Sequence, residues 1–308
     1  MTVDQPVDPY AAELPPAQRE GRLGVGVISA GKVGSVLGAA LRGAGHSVIG
    51  AHAVSADSRN RAESLLGGVP VLEIPEIMRR AELVLLAVPD DALAELVSGL
   101  AEAGHIQAGQ LIVHTSGRYG TEVLAPAQSR GAIGLAIHPA MTFTGLSMDL
   151  QKLHTCAFGV TAPGPVLPIA QALVVEMGGE PVVIREPDRL TYHAALAHAS
   201  NHLNTITGQS AEMLHRIGVD HAETVLRPLM QASLDNALAS GESALTGPVA
   251  RGDAGTLRRH VQLLASSELP ADIRTAYMAM ARATTQRALD RGVITSGKAA
   301  ELLDVLDA

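Results

Sequence analysis

Short apolar runs alternate with amphipathic stretches through the first half of the chain. Runs of strand length lie over 23–28, 46–54, 81–88, 111–114 and 132–137, and polar residues or proline follow each of them. The intervening stretches place apolar residues at helical spacing. The third run is almost continuously apolar, which is typical of a strand covered by helices on both faces. This order of elements predicts an α/β fold with a doubly wound parallel sheet of the Rossmann type.

The pattern changes near residue 187. Before that point two more strands are predicted over 155–160 and 181–184, with a helix over 166–177 between them, and they extend the same sheet. Beyond it the strand-like runs stop. Long helices rich in Ala and Leu are predicted instead over 188–217, 221–239, 255–266 and 270–291. The second half of the chain is therefore expected to be all helical.

A length of 308 residues agrees with two domains, because one domain usually has about 100 to 200 residues. The change of pattern predicts a dinucleotide-binding domain over 22–186 and a helical domain over 187–308 that binds substrate and forms a homodimer. No linker separates the two, so they are expected to pack closely and form a cleft. Residues 1–21, with Asp, Glu and four prolines, are interpreted as a disordered tail.

The composition excludes several classes of function. A net charge of -8 with 23 Lys and Arg residues provides no basic face, and 4 Tyr, 2 Phe and no Trp leave few rings to stack on bases, so we expect no nucleic-acid partner. No apolar stretch reaches the roughly 18 residues of a membrane span, so we expect no membrane partner. The one cysteine, Cys156, cannot form an internal disulfide. This usage is typical of the reducing cytoplasm, which is the predicted location.

A glycine-containing turn lies directly between the first predicted strand and the first predicted helix. Its residues, all predicted to contact a cofactor, are Ser29, Ala30, Gly31, Lys32, Val33 and Gly34. Glycines here let the backbone approach a pyrophosphate and let the helix pack closely on the sheet, while the helix N-terminus supplies amide groups and a positive dipole. Ser29 replaces the first glycine of the usual G-x-G-x-x-G pattern. The alternative is a simple glycine-rich turn between strand and helix.

Residues at the end of the second predicted strand select the cofactor. An acid there contacts a free ribose hydroxyl, whereas basic and hydroxyl residues receive a 2′-phosphate. The segment contains Asp57, but also Ser55, Ser58, Arg59 and Arg61. We therefore expect NADP (NADPH) rather than NAD, with Ser55, Ser58 and Arg59 among its contacts. The alternative is that the two arginines are solvated charges at the start of a helix.

Two further segments are predicted to border the cofactor, because ligands in open parallel sheets bind beyond the carboxyl ends of the strands. The predicted contacts are Val88, Pro89 and Asp90 after the third strand and Ser116 after the fourth. His114 belongs to the same segment as Ser116. His138 occupies an equivalent position after the next strand.

The first long helix of the second half carries a polar stripe. At about 100° per residue, Ser200 and Asn204 lie within about 20° of His193, and Asn201 lies about 80° away. A helix otherwise rich in Ala and Leu is expected to turn such a stripe toward a polar cleft. His193, Ser200 and Asn201 are therefore candidate catalytic residues. The alternative is a set of buried polar groups that satisfy one another.

His198 and His202 have the i, i+4 spacing of two metal ligands. On the helix they point away from His193, and no Cys or Glu cluster supplies further ligands. We therefore expect no metal site.

The segment 245–253, Leu-Thr-Gly-Pro-Val-Ala-Arg-Gly-Asp, is predicted to be a loop that leads into a helix. Asp253 is a suitable N-cap, with Thr256 three residues further on. Arg251 has no other acid nearby in the sequence, so its guanidinium is a candidate to hold a substrate carboxylate through two hydrogen bonds. Arg251 and Asp253 complete the candidate catalytic set. The alternative for Arg251 is a salt bridge that fixes the loop.

Six motifs together carry a resemblance to a known family. They are Ser-Ala-Gly-Lys-Val-Gly at 29–34, Ala-Val-Pro-Asp-Asp at 87–91, His-Thr-Ser-Gly at 114–117, Ile-His-Pro at 137–139, Tyr-His-Ala-Ala-Leu-Ala-His-Ala-Ser-Asn at 192–201 and Leu-Thr-Gly-Pro-Val-Ala-Arg-Gly-Asp at 245–253. On these motifs the chain resembles the Rossmann-like proteins whose second half is domain of unknown function 2520. That family is similar in layout to 6-phosphogluconate dehydrogenase, pyrroline-5-carboxylate reductase and ketopantoate reductase, and some relatives are regarded as an alternative class of ketopantoate reductase. The resemblance implies NADPH-dependent reduction of a small 2-keto acid, ketopantoate first among them.

The chain departs from the related reductases at one position. In those enzymes the proton donor is a lysine four residues before an asparagine on the first helix of the second domain. Asn201 matches that asparagine, but Ala197 stands in place of the lysine. His193 is our candidate for the donor, because histidine titrates near neutral pH. Ser200 and Asn201 would orient the carbonyl, and Arg251 would hold the carboxylate.

Two alternatives to keto-acid reduction stay open. Reduction of an imine of the pyrroline-5-carboxylate type does not demand a lysine donor and so agrees with Ala197. A sensor or interaction protein that binds NADPH without turnover agrees with the missing lysine and with Ser29 at the first glycine position. Substrate profiling distinguishes the three hypotheses.

Overall fold

Seven strands in the first half of the chain form one sheet. The computed structural model describes residues 22–266 and 268–308, so the predicted tail over 1–21 lies outside the described residues. The strands are β1 (Gly24–Ile28), β2 (Ser47–His52), β3 (Leu83–Leu86), β4 (Leu111–His114), β5 (Ile133–Pro139), β6 (Ala157–Thr161) and β7 (Glu180–Val183). Their order across the sheet is β2-β1-β3-β4-β5-β6-β7, and the pairs from β2 to β5 are parallel. Each strand overlaps one predicted from the sequence.

Helices cover both faces of this sheet. Those of the first half are α1 (Lys32–Gly43), α2 (Ala56–Leu66), α3 (Ile74–Arg80), α4 (Asp90–Glu102), α5 (Ala125–Gln128), α6 (Met148–Leu153) and α7 (Leu167–Glu176). Successive strand residues point to opposite faces: Leu83 and Leu85 join the apolar cluster lined by α1, α2, α6 and α7, whereas Val84 and Leu86 join the cluster lined by α3, α4 and α5. This core on two faces confirms the doubly wound Rossmann-type fold.

Three short helical segments of the first half differ from the expectation. α3 and α6 were not predicted, because seven and six residues contain too little of a helical period to stand out from a loop. The helix expected between the runs over 111–114 and 132–137 is a 3₁₀ turn, Glu122–Leu124, followed by the four-residue α5 with Pro126 in its first turn.

β6 runs antiparallel to β5, so the sheet is not parallel throughout. The connection between these strands contains only the six-residue α6, which is about 9 Å long. β5 has seven residues and spans about 23 Å, so α6 is too short to cover the strand as the helix of a parallel crossover usually does. The amide of Ala140 bonds to the carbonyl of Ala157 at 2.9 Å, and β6 therefore begins where β5 ends. β7 then pairs parallel with β6 after the crossover through α7.

The described residues of the second half contain helices and no strand. The helices are α8 (Arg189–Arg216), α9 (Ala222–Ser240), α10 (Ala254–Ser266), α11 (Ala271–Asp290) and α12 (Ser296–Asp307). The first four match the predicted helices closely and confirm the helical second half. α12 was not predicted; the hydroxyl of Thr295 caps it by accepting the amide of Lys298 at 3.4 Å. None of the described helices combines the length and the apolar character of a membrane span.

The chain divides into two compact units inside α8, with the first ending at Ala197 and the second beginning at His198. The boundary predicted from composition lies earlier, between residues 186 and 187. Arg189 accounts for the difference, because its guanidinium is buried and donates to the carbonyls of Ala136 and Gly159 at 3.0 Å each. These bonds attach the first turn of α8 to the sheet.

Candidate functional site

The turn between β1 and α1 gathers the six predicted cofactor residues at the carboxyl end of β1. Ser29 has a φ of 71° and is the one non-glycine residue with positive φ in the described part of the chain. The first glycine of the fingerprint ordinarily supplies this left-handed conformation, so Ser29 reproduces the glycine backbone at a steric cost. Gly34 packs tightly beneath the turn, since a Cβ on it would lie 2.3 Å from the carbonyl oxygen of Ser29.

The backbone of the same turn is open to an approaching ligand. No side chain caps the first turn of α1, and a Cβ on Gly31 would meet no atom closer than 3.9 Å. The turn is held in place by two hydrogen bonds, from the Ala30 amide to the His52 carbonyl at 2.8 Å and from the Ser35 hydroxyl to the Ala30 carbonyl at 2.9 Å. The uncapped amides of the first turn of α1 and the positive end of the helix dipole make this an anion site of the kind that a pyrophosphate requires.

We expect Ser29→Gly to raise the free energy of unfolding by about 1 kcal/mol, because glycine adopts a positive φ without the clash of a Cβ. Equilibrium denaturation by urea measures the change. Ser29→Ala is the control, since alanine keeps the Cβ and should leave the stability near that of the wild type. Equal stabilities of the Gly and Ala variants would show that the turn is not strained.

The residues after β2 form the start of α2. Ser55 is its N-cap and accepts the amide of Ser58 at 3.1 Å, while the Ser58 hydroxyl donates to the Ser55 carbonyl at 2.8 Å. Nε of Arg59 donates to the carbonyl of Ala53 at 3.4 Å, and its side chain lines a cavity of about 700 Å³ beside α2. The three predicted phosphate contacts thus lie together at the helix N-terminus, with both serine side chains engaged in the cap.

Arg61 and Lys32 approach each other beside a buried glycine. A Cβ on Gly145 would lie 2.9 Å from Cδ of Arg61 and 3.1 Å from Cγ of Lys32. The loop is fixed by the buried Asp149, whose Oδ2 accepts the amides of Thr144 at 2.7 Å and Gly145 at 2.8 Å. Although burial opposes it, these hydrogen bonds hold the pKa of Asp149 below its ordinary value. The loop that contains Gly145 therefore packs against two neighbouring cations, Arg61 of α2 and Lys32 of the phosphate turn.

The predicted residues after β3 and β4 lie along neighbouring strand ends, because these two strands are paired. Val88, Pro89 and Asp90 lead into α4. Ser116 is buried, and its hydroxyl accepts a backbone amide three residues further on at 3.3 Å. Nε of Arg118 lies 3.6 Å from the carboxylate of Asp90 and joins the two segments.

His114 holds the loop after β4. Its Nε2 lies 2.7 Å from the carbonyl of Gly120, and its Nδ1 accepts the amide of Ser116 at 3.2 Å, so the ring carries its hydrogen on Nε2. Burial lowers the pKa of His114 to about 4 and keeps the ring neutral at pH 7. The carboxylate of Glu186, just before α8, fixes the same loop by accepting the amide of Thr121 at 2.7 Å.

Two histidines meet at the carboxyl ends of β4 and β5. The ring centroids of His138 and His193 are 6.3 Å apart and the rings are nearly perpendicular. Gly117 lies against both, since a Cβ there would be 2.7 Å from Cδ2 of His193 and 3.0 Å from Nε2 of His138. The hydroxyl of Tyr192 lies 3.0 Å from Nδ1 of His138. The structure thus brings the candidate donor to the sheet edge together with a histidine and a tyrosine that were not in the predicted catalytic set.

The remaining predicted residues belong to the second unit. Ser200 and Asn201 lie on α8, which is one continuous helix through the predicted polar stripe. The carboxylate of Asp253 caps α10 and accepts the amide and the hydroxyl of Thr256 at 2.9 and 2.7 Å, which lowers its pKa. Arg251 is exposed, and within the described residues its guanidinium has no hydrogen bond or ion pair.

His198 and His202 form an exposed pair whose Nδ1 atoms are 2.7 Å apart. Over residues 22–266 and 268–308, no group of three or more His, Cys, Asp or Glu side chains is placed to hold a metal ion.

Two family models match the chain. The Rossmann-like domain matches residues 10–139, and the domain of unknown function DUF2520 matches residues 156–284. No curated protein matches the sequence.

Solved structures share the architecture at low sequence identity. A Bacteroides fragilis protein named as an NADP oxidoreductase is 20% identical with a TM-score of 0.71, over 85% of this chain and 98% of that chain. An imine reductase from Pseudomonas sp. is 19% identical with a TM-score of 0.64, over 93% and 100% of the two chains. A pyrroline-5-carboxylate reductase from Coxiella burnetii is 15% identical with a TM-score of 0.53, over 90% and 100%. At these identities the likeness establishes the fold.

Proposed function

We propose that this chain, whose two halves match the models of the Rossmann-like domain and of DUF2520, is an NADP-dependent oxidoreductase that reduces a small 2-keto acid. The observation that carries the proposal is the order of sites along one edge of the sheet. The phosphate turn follows β1, and His138 lies at the end of β5, three strand spacings or about 14 Å away. Dinucleotides bind along this edge of open parallel sheets, so the pair of histidines lies where the reacting end of one is expected.

The residues of the sheet edge fit a dinucleotide cofactor. The open backbone at Gly31 and the first turn of α1 would hold the pyrophosphate. The rest of the cofactor would be bordered by Val88, Pro89, Asp90 and Ser116. When bound, the cofactor supplies a hydride. The protein itself must then orient the substrate and supply a proton.

His193 is the residue that we propose as the proton donor. Ala197 occupies the position of the lysine in related reductases, so this part of α8 offers no ammonium group. An imidazole exchanges protons near neutral pH, and His193 lies beside His138 at the sheet edge.

Four residues of the second unit keep their predicted roles as proposals. Ser200 and Asn201 orient the carbonyl group of the substrate. Arg251 holds the carboxylate, a role that its unpaired guanidinium in the described residues allows. Asp253 positions the loop that carries Arg251. Both of its carboxylate oxygens accept hydrogen bonds that cap α10, so it does not itself contact the substrate.

We propose NADP rather than NAD because cations predominate near the phosphate turn. Lys32 and Arg61 meet beside Gly145, and Arg59 follows β2. The competing acid, Asp57, lies 4.0 Å from Arg61, and its side chain is 83% exposed. A 2′-phosphate would be attracted by these cations, whereas Asp57 alone favours a free ribose hydroxyl.

Arg61→Met should weaken NADPH binding about 10-fold to 100-fold and leave NADH binding unchanged, because a hydrogen bond to a charged group contributes about 1.5 to 3 kcal/mol. Isothermal titration calorimetry with both nucleotides measures the two affinities. Arg79→Met, at an exposed arginine of α3, is the matched control. Equal losses for NADPH and NADH would exclude recognition of the 2′-phosphate by Arg61.

Ketopantoate is the substrate that the family resemblance favours. The second candidate is a cyclic imine of the pyrroline-5-carboxylate type, and Ala197 in place of the donor lysine favours it. Both substrates carry a carboxylate, so Arg251 suits either one.

The proposed function is tested by NADPH oxidation in the presence of ketopantoate, a panel of other 2-keto acids and pyrroline-5-carboxylate. Turnover with a 2-keto acid supports the proposal, and the best substrate identifies the acid. Turnover with the imine alone replaces it by the second candidate. NADPH binding without turnover of any substrate contradicts both and favours a nucleotide sensor.

We propose that the helical unit forms a homodimer. The only buried residue of α9 is Ala222, whereas Leu229 and Leu238 are 62% and 78% exposed. The buried apolar cluster of this unit draws on α10, α11 and α12 instead. A second copy would cover the apolar face of α9.

Sedimentation velocity at micromolar concentration should therefore show a dimer, and Leu238→Glu should shift it toward the monomer. Leu263→Glu, at an exposed leucine of α10, is the control and should leave the dimer intact. A monomeric wild-type protein would exclude this assembly.

A further inference from the structure

Arg189 is a buried arginine that has only neutral hydrogen-bond acceptors. It is 1% exposed and is the first residue of α8. Its Nε donates to the hydroxyl of Thr161 at 2.7 Å, and its Nη2 donates to the carbonyls of Ala136 and Gly159 at 3.0 Å each. Its Nη1 is buried and has no hydrogen-bond partner within the described residues.

The charge of Arg189 is therefore not neutralised by a direct ion pair. Glu186 is the acid that attracts it, but that carboxylate accepts the amide and the hydroxyl of Thr121 instead of pairing with the guanidinium. Burial lowers the pKa of Arg189 to about 10, so the group remains charged at neutral pH. A buried charge acts strongly on its neighbours, because the protein interior screens it less than water does.

Tyr192 connects Arg189 with His138. Cζ of Arg189 lies 5.8 Å from the centroid of the Tyr192 ring, and the Tyr192 hydroxyl lies 3.0 Å from Nδ1 of His138. The ring packs so closely on β6 that a Cβ on Gly159 would lie 2.7 Å from the hydroxyl oxygen. Burial raises the pKa of Tyr192, so the hydroxyl keeps its proton and can donate it to Nδ1. A neutral His138 then carries its own hydrogen on Nε2, the atom that faces Gly117.

The titratable groups around His138 mainly oppose its protonation. Arg189, His193 and His114 disfavour its protonated form, and Asp90 favours it. Burial first, and then the charge of Arg189, lowers the pKa of His138 to about 4. Above that pH the ring is neutral.

We propose that Arg189 and Tyr192 are positioning residues that keep His138 uncharged and hold its Nε2–H toward Gly117, where it donates a hydrogen bond to the carbonyl oxygen of the substrate. The proposal rests on the proposed function, which places the substrate at this edge of the sheet. A neutral imidazole can polarise a carbonyl without giving up its proton, and its hydrogen bond strengthens as negative charge develops on the oxygen. The two histidines then have separate roles: His138 donates a hydrogen bond and His193 donates the proton.

The test is nitrogen NMR spectroscopy of the histidine rings in the full-length protein, which needs neither substrate nor cofactor. His138→Gln identifies the signals of His138. We expect the wild-type ring to remain the neutral Nε2–H tautomer from about pH 8 down to about pH 5. Arg189→Met should raise its titration midpoint by about one pH unit or more, and Arg189→Lys, which keeps the charge, should raise it less.

Tyr192→Phe separates the two positioning roles. It removes the hydroxyl, so the ring should stay neutral but populate both tautomers. Arg185→Met is the matched control, because this exposed arginine pairs with Asp188, and it should change neither property.

A wild-type His138 that titrates near its ordinary pKa would overturn the proposal. So would a His138 ring that keeps the single Nε2–H tautomer in the Tyr192→Phe variant. If Arg189→Met does not fold, the wild-type titration and the Tyr192→Phe spectrum still decide. A protein that oxidises no NADPH with any substrate would contradict the proposed function alone, because the protonation state of the ring is measured independently. The two failures are therefore distinguishable.

Discussion

Gly34→Ala should lower the affinity for NADPH by about 100-fold or more. The added Cβ would lie 2.3 Å from the carbonyl oxygen of Ser29 and 3.0 Å from Cβ of Ala87, and the first of these atoms is backbone that cannot rotate away. Either α1 or the turn must move, and the amides of the first helical turn then no longer converge on a pyrophosphate. A 100-fold loss is about 2.7 kcal/mol, which is within the usual cost of overpacking.

Calorimetric titration with NADPH measures this loss, and the free energy of unfolding of the same variant shows whether the domain remains folded. Gly43→Ala is the matched control, because it also lies in α1 and a Cβ there would meet no atom within 4 Å. Wild-type affinity in Gly34→Ala would mean that the cofactor does not bind through this turn.

His193→Ala should reduce kcat by about 100-fold to 1000-fold with little change in KM. A positioned general acid typically contributes a factor of about 100 to 10000, and water that enters the space left by the ring can replace part of it. The position of the ring supports the role, since His193 faces His138 across Gly117 at the ends of β4 and β5.

Steady-state kinetics over a range of pH, with the best substrate of the panel, measures the effect. His198→Ala is the control, because this exposed histidine is on the same helix and pairs only with His202 among the described residues. An unchanged kcat at every pH would exclude His193 as the donor.

Several elements could be predicted from the sequence because their signals are local. β3 is buried on both faces, and its continuous apolar run marks it without reference to any partner. The polar and apolar spacing of α8 likewise placed both of its ends within one residue of the observed ones. The direction of β6 could not be predicted in this way, because it depends on where the connection through α6 returns the chain to the sheet, which is a property of the assembled structure.

The candidate site likewise has residues that could be predicted from the sequence and contacts that could not. The roles of Ser29, Gly31 and Gly34 could be predicted, because these residues occupy fixed positions between a strand and a helix. The proximity of Arg61 to Lys32 could not be predicted from the sequence. Both side chains pack on the loop at Gly145, which lies far along the chain and is held by the buried Asp149.

Four features follow from the order of residues alone: the alternation of strands and helices, the change to an all-helical second half, the phosphate turn and the candidate His193. These features rest on residue spacing within one element, and the chain carries that spacing before it folds. Three others emerge only in the folded protein: β6 is antiparallel, Arg189 bonds the start of α8 to the sheet, and Tyr192 and His138 join His193 at one edge. Those contacts join residues distant in sequence, and burial and charge act on them only once packing has excluded water.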